Sequence, residues 1–392
     1  MSEADNSRPL GDHGDSLVVM STNPRIYLDF NATAPLGADV RVAMTRAMAD
    51  PGNPSSIHAE GRRARDHIER ARDQVARLVG RPREQIVFTS SGTEGNALGV
   101  LGLAAVAERR GLPRVVAAAA IDHPSLRGAV AALVARGWRL QPIPVTGDGA
   151  LEVASLAGTG LVAIAAVNHE LGTLAGPQII AAARRAGALV HVDAVQAAGK
   201  GPLAELDADA MVISAHKLGG PQGVGAVAIA SDDGLPLIDA GHQERGRRPG
   251  TENTLGIVGL GAAAAGADVT RWAAVVALGD RLEAGLRAIA GVRIHGGGAP
   301  RIGGTVNAGF AGALGESIVI ALDLAGIATS TGAACTSGST QPSPVLLALG
   351  LAPDQAREAV RFSLGYTTTA DEIDAVLARL PAIVARARSH RA

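Results

Sequence analysis

The sequence predicts an α/β protein: a large domain on a mostly parallel sheet, followed by a smaller α+β domain. Three observations lead there. Apolar runs at 115–121, 161–167, 188–192 and 210–213 alternate with helical patterns at 125–136 and 178–186, the rhythm of a parallel sheet covered on both faces. After about residue 262 the rhythm changes to short strands and a C-terminal amphipathic helix. With 392 residues, 47% hydrophobic and 19% charged, the chain can bury one large and one smaller core.

Taken in order, residues 1–24 are polar apart from Leu17–Met20 and are expected to form a disordered tail, with Met20 as an alternative start. Arg25–Phe30 reads as a strand that Asn31–Pro35 breaks, and Gly52–Ser56 as a turn. Between Ala59 and Val79 the apolar positions Ala64, Ile68, Ala71, Val75 and Leu78 keep helical spacing. Gln85–Thr89 is a strand that runs into Ser90–Glu94 and a helix through Ala107. The four alternating strands follow. Gly225–Ala230 is joined to the 210–213 strand by a glycine loop alone, too short for a crossover helix, so it should run antiparallel.

The Ala-rich stretch Gly261–Ile289 reads as one long connecting helix. Strands at Arg293–His295 and Thr305–Phe310, a helix at Ser317–Ala325, a strand ending in Val360–Leu364 and a helix from Ala370 complete the chain. We place the large domain at 25–262 and the small one at 263–392, with the first ordered residues packing on the latter.

Formal net charge is −1, which argues against a nucleic-acid or membrane-surface partner. Cys335 is the single cysteine. That excludes an intramolecular disulfide and a cysteine-based metal site, no metal is expected, and a reducing, cytoplasmic setting follows. No apolar run is long enough to span a membrane.

In parallel α/β sheets ligand groups gather at the carboxyl ends of strands. The 85–89 strand ends at Gly92-Thr93, opening a helix: a phosphate seat, although an ordinary capping turn explains this piece alone equally well. The 115–121 strand ends at Asp122-His123. In a chain that is 2% aromatic, His123 is well placed to stack on a planar ligand; a structural histidine is the plainer explanation. The 161–167 strand ends at Asn168-His169-Glu170. Asp193 follows the buried run Leu189–Val192, with Gln196 one turn on, and an acid there needs a partner. A salt bridge or a protonated ring nitrogen would serve.

The 210–213 strand ends at Ser214, His216 and Lys217, followed by Gly219, Gly220, Pro221 and Gly223. Lysine occurs only as Lys200 and Lys217 among 36 Lys and Arg residues. A buried lysine at such a loop suits an amine that attaches to a carbonyl, which arginine cannot do because it stays protonated. A phosphate seat, a stacking ring, polar groups, a buried acid and a lysine together are what pyridoxal 5′-phosphate requires.

The motifs extend this. Y-L-D-F-N-A-T-A-P at Tyr27–Pro35, F-T-S-S-G-T-E-G-N at Phe88–Asn96, V-N-H-E-L-G-T at Val167–Thr173, H-V-D-A-V-Q at His191–Gln196 and S-A-H-K at Ser214–Lys217 stand in order. Q-E-R-G-R-R-P-G-T-E-N at Gln243–Asn253, G-A-A-C-T-S-G at Gly332–Gly338 and V-R-F-S-L-G at Val360–Gly365 follow. From Ile26 to Ile383 the chain resembles the NifS-like cysteine desulfurases, within the class V aminotransferases of pyridoxal-phosphate fold type I. The resemblance implies a seven-stranded sheet and a homodimer.

It further implies that Lys217 holds the cofactor aldehyde, His123 stacks on the ring and moves protons, and Asp193 pairs with the pyridine nitrogen. Gln196 and Asn168 would lie at the ring oxygen, with Asn168 also near the substrate. Gly92, Thr93, Ser214 and His216 would hold the phosphate, and Thr251 would reach the phosphate of the neighbouring subunit. Arg361 would clamp the carboxylate of L-cysteine, and Cys335 would take its sulfur as a persulfide, releasing L-alanine. An acceptor protein, an iron–sulfur scaffold or a sulfur carrier, would take it onward.

Three departures from the family pattern stand out: Gln222 for the usual lysine, Gln341 for an acid, and Asn168-His169 for an Asn-Asn pair. Selenocysteine lyase activity, a same-fold transaminase or lyase, and a non-catalytic scaffold are the competing expectations.

Overall fold

The computed structural model describes residues 25–153, 155–230, 236–332 and 341–389; the tail 1–24 and Cys335 lie outside the described residues. In chain order the elements are β1 (Ile26–Tyr27), α1 (Ala38–Met48), α2 (Ala59–Val79), β2 (Ile86–Thr89), α3 (Gly92–Arg109), β3 (Val115–Ala119), α4 (Pro124–Ala135) and β4 (Arg139–Ile143). There follow β5 (Leu161–Ala165), α5 (Pro177–Arg185), β6 (Leu189–Asp193), β7 (Ala210–Ser214), β8 (Gly225–Ile229), α6 (Thr254–Ala265) and α7 (Trp272–Arg287). The last are β9 (Val292–His295), β10 (Thr305–Phe310), α8 (Gly315–Leu324), β11 (Ile327–Ala328), α9 (Pro344–Ala348), α10 (Pro353–Arg357), β12 (Ala359–Ser363) and α11 (Ala370–Ser389).

Seven strands form the main sheet in the order β2-β8-β7-β6-β5-β3-β4. As its short connection requires, β8 runs antiparallel to β7, and also to β2, while the other neighbours are parallel. The carboxyl ends of β2, β3, β5, β6 and β7 therefore share one edge.

Strand residues alternate between two cores, because successive side chains leave a pleated strand on opposite faces. Val162 and Ile164 join Ile68 and Val75 of α2, Ile179 of α5 and Leu260 of α6. Leu161 and Ala163 join Leu98 and Leu103 of α3 and Leu126 and Val130 of α4.

A third core is built on the antiparallel sheet β12-β10-β9, where Phe310 and Phe362 pack with Leu282, Val376 and Leu380. Ile26 and Leu28 belong to this core, and β1 pairs with β11 in parallel. The N-terminal segment thus crosses to the C-terminal unit, and the next residues, Asp29–Ala32, arrive where the two units meet.

Four features differ from the sequence expectation. The stretch 261–289 is two helices, α6 and α7. The Asp268 side chain accepts from the N–H and hydroxyl of Thr270, a local turn that competes with helix continuation. The Trp272 indole then donates to the Ile302 carbonyl, fixing where α7 starts. The helix α1 buries only Val40 and Ala47 and so carries little periodic signal. The edge strand β4 is mostly exposed and contains Pro142, tolerated only at an edge. The strand β11 spans two residues, too short for a pattern.

Candidate active site

A cavity of about 360 Å³ lies at the carboxyl edge of the main sheet. His123, Asp193, Gln196, Ser214, Lys217 and Arg361 line it, together with Gly92, Thr93 and His216. The structure thus brings together nine of the residues singled out from the sequence. Among the described residues no group of three or more His, Cys, Asp or Glu side chains is arranged to hold a metal.

The turn expected to seat a phosphate is the first of α3. Ser91 caps it, its hydroxyl accepting from the Glu94 N–H. Helix geometry leaves the N–H groups of Gly92 and Thr93 without intrahelical acceptors. The entry to this turn passes so close to β8 that a Cβ on Gly225 would lie 2.8 Å from the Ser91 carbonyl carbon. On the other side Ser214 ends β7, and the His216 ring meets the Thr33 hydroxyl at 3.1 Å. Burial, then Lys217 and His123, hold His216 down at about 4.

Asp193 ends β6 and is buried. Its Oδ2 accepts from Asn96 Nδ2 at 2.8 Å and its Oδ1 from the Val195 N–H at 3.0 Å. Asn96, one turn into α3, also donates to Ser125 Oγ at 2.9 Å and faces His191 Nε2 at 2.9 Å. Gly99 permits this: the His191 ring lies where a Cβ on residue 99 would sit, 2.5 Å from its atoms.

Lys217 Nζ donates to the carbonyls of Asn31 and Ala32 at 2.6 and 2.7 Å. Gln196 donates to the Asn31 carbonyl at 3.0 Å. Its Oε1 accepts from Lys200 Nζ at 3.2 Å, which also reaches Asn31 Oδ1. Burial, reinforced by Lys217 and Arg361, lowers Lys200 to about 7. The chain's two lysines therefore share one part-buried neighbourhood.

Arg361, on β12, comes from the other unit. It donates to the His169 carbonyl at 3.1 Å and to Asp29 Oδ1 at 2.8 Å. Its Nε is buried with no acceptor among the described residues. The His169 ring stands edge-on to His123 at 5.0 Å, and burial holds it well below the usual histidine range.

Two predicted residues stand apart. Asn168 does not line the cavity: its amide donates to the Ile121 carbonyl and accepts from the N–H groups of Glu170 and Leu171. His169 holds the lining position instead. Thr251 is exposed and outside the cavity wall. Cys335 is outside the described residues, though Gly332, three positions before it, touches the cavity.

Sequence reasoning missed Asn31, Asn96, Ser125 and the site role of Lys200. The signal for Asn96 was a polar residue among the otherwise small or apolar side chains of positions 95–107 in α3.

These donors fit pyridoxal phosphate: a helix N-terminus for the phosphate, a buried acid for a ring nitrogen, and an amine for an aldehyde. Its ring would lie against His123. Comparison with known proteins agrees. Cysteine desulfurase 2 of Trichormus variabilis is 41% identical over 381 residues, covering 93% of this chain and 94% of that protein. A cysteine desulfurase of Enterobacter agglomerans is 40% identical over 378 residues, with 93% and 94% covered. A solved NifS-like protein superimposes with a TM-score of 0.83 at 31% identity, covering 92% of this chain and all of that one. Residues 26–376, which include the whole cavity wall, match the family Aminotransferase class-V, and to that family the chain belongs.

Proposed function

We propose that the protein is a pyridoxal-phosphate-dependent cysteine desulfurase. It converts L-cysteine to L-alanine and transfers the sulfur first to Cys335 and then to an acceptor protein. The observation that carries this is the meeting of Lys217, Asp193, His123 and the α3 N-terminus in one cavity with Arg361 on its wall.

The cofactor, when bound, supplies an aldehyde and an electron sink. Gly92, Thr93, Ser214 and His216 would hold its phosphate, and Asp193 would hold the proton on its ring nitrogen. Gln196 would lie at the ring oxygen, beside the Asn31 carbonyl that it and Lys217 contact. Lys217 Nζ would attach to the cofactor's aldehyde, and the same amine would carry the substrate α-proton. Arg361 binds the substrate carboxylate in a two-pronged contact.

Cys335, as thiolate, takes the sulfur. The Cβ–S bond of the substrate breaks, an S–S bond forms on Cys335, and the carbon gains a proton and leaves as alanine. We further propose a homodimer in which Thr251 reaches the partner's phosphate, and a cytoplasmic enzyme whose acceptor is an iron–sulfur scaffold or sulfur carrier. Residues 25–262 would form the cofactor domain and 263–392 the domain carrying Cys335.

The test is a mass and product balance. With cofactor and L-cysteine but no reductant, the Cys335 peptide should gain one sulfur as alanine appears. Cys335→Ala should keep the cofactor's visible band and lose both products. Full turnover by Cys335→Ala would replace this reading with a lyase or transaminase.

A further inference from the structure

We propose that Ser125 and Asn96 are positioning residues that hold His123 as the tautomer with its proton on Nε2. The inference rests on the desulfurase reading for what His123 does, but not for the hydrogen-bond pattern itself.

The assignment starts at Asp193. A carboxylate oxygen only accepts, so the Asn96 atom 2.8 Å from Asp193 Oδ2 is the amide nitrogen. Asn96 Oδ1 then faces His191 Nε2 at 2.9 Å, and that nitrogen must donate. The other ring nitrogen of His191 is buried with no partner among the described residues, so no acceptor there favours a proton on it. The Asn96 amide is thereby locked from both ends.

Its second N–H goes to Ser125 Oγ at 2.9 Å. The serine oxygen keeps a second lone pair, so the direction of its 2.7 Å contact with His123 Nδ1 depends on what else reaches that nitrogen. The Ser125 N–H approaches the same nitrogen at 3.1 Å, because His123 is the N-cap of α4 and Ser125 its second residue. A backbone N–H can only donate, so Nδ1 accepts, the Ser125 hydroxyl donates to it as well, and the neutral ring carries its proton on Nε2.

Protonating His123 would place a hydrogen on Nδ1, which breaks the contact from the Ser125 N–H and forces the Ser125 hydroxyl to turn from donor to acceptor. Hydrogen bonds made to the neutral form disfavour the charged one. The other groups facing His123 are Asp193 from β6, which favours its charge, Lys217 after β7, which opposes it, His169 edge-on after β5, and His216. Burial is the leading cause that lowers this histidine. The Ser125 hydroxyl adds to it and so keeps the ring ready to exchange the Nε2 proton.

The experiment uses 15N-histidine-labelled holoenzyme, with the His123 ring signals assigned by their loss in His123→Gln. In the wild type Nε2 should be the protonated nitrogen and Nδ1 the acceptor. In Ser125→Ala the His123 pKa should rise by roughly half a unit to one unit, the value of one neutral hydrogen bond. The acid limb of kcat/KM should move with it, while cofactor affinity stays near wild type. Ser125→Thr, which keeps the hydroxyl, should restore both. A proton on Nδ1 in the wild type, or a Ser125→Ala enzyme whose ring titration and acid limb do not move, overturns the inference. Failure to bind cofactor at all would instead sink the desulfurase reading.

Discussion

Replacing Asp193 by asparagine tests the site at its most constrained point. Both carboxylate oxygens are used as acceptors, Oδ1 by the Val195 N–H at 3.0 Å and Oδ2 by Asn96 Nδ2 at 2.8 Å. Asparagine has one oxygen. Either amide orientation sets an NH2 group against one of those donors, so one bond is lost and buried donors are left unpaired. Such a loss costs about 1–3 kcal/mol of stability. Asn96 cannot turn to help, because His191 needs its oxygen.

The same change removes the acid expected at the ring nitrogen. Loss of one preorganised electrostatic partner costs on the order of 3 kcal/mol in the barrier, a hundredfold or more in rate. Urea unfolding of the cofactor-free protein reads the first term, and alanine release by the reconstituted enzyme reads the second. Unchanged unfolding would show that the two acceptor contacts do not matter. Near-normal turnover would show Asp193 to be structural.

Three further outcomes follow from the same geometry. Arg361→Lys keeps the charge but loses the planar fork that spans His169 and Asp29; KM for cysteine should rise about tenfold, and an unchanged KM would place the carboxylate anchor elsewhere. Gly99→Ala gains about 1 kcal/mol of helix propensity but drives a Cβ into the anchored His191 ring. Overpacking of this kind costs about 1–3 kcal/mol, so net destabilisation is expected, and a stabilised variant would refute the contact. The third concerns pH. Burial lowers His191 from 6.5 to about 3, so between those values the unfolded chain binds a proton that the folded one excludes. The contribution of this group to stability is therefore complete above pH 6.5 and lost as pH falls toward 3. Urea unfolding at a series of pH values should show that loss weakened in His191→Gln. A wild-type-to-variant difference independent of pH would mean the ring is not held neutral.

Much of the site was legible because the chemistry sits where a sequence pattern is strongest, at the ends of buried strands. Lys217, Asp193, His123 and the Gly92-Thr93 turn each follow such a run, and a parallel sheet brings those ends to one edge whatever the loops do. Asn168 shows what that reasoning leaves open. It and His169 are neighbours on one loop, and only the packing of that loop decides that Asn168 serves backbone groups while His169 faces the cavity. The long helix expected at 261–289 failed for a related reason. Ala-rich periodicity continues across Asp268, but one side-chain hydrogen bond and the Trp272 anchor end the first helix.

The sequence by itself determined the alternating sheet, the antiparallel β8, the lysine, the acid and the family motifs, since these depend on local pattern and on spacing along the chain. Only the tertiary structure decided that the chain following residues 26–28 delivers Asn31 to Lys217 and Gln196. It alone set Arg361 against Asp29, placed Lys200 beside Lys217, and joined His191, Asn96, Asp193, Ser125 and His123 in one hydrogen-bonded chain. Those partners lie far apart in sequence. Their meeting is set by how the sheet, α3 and the C-terminal unit pack against one another, and by the demand that every buried polar group find a partner.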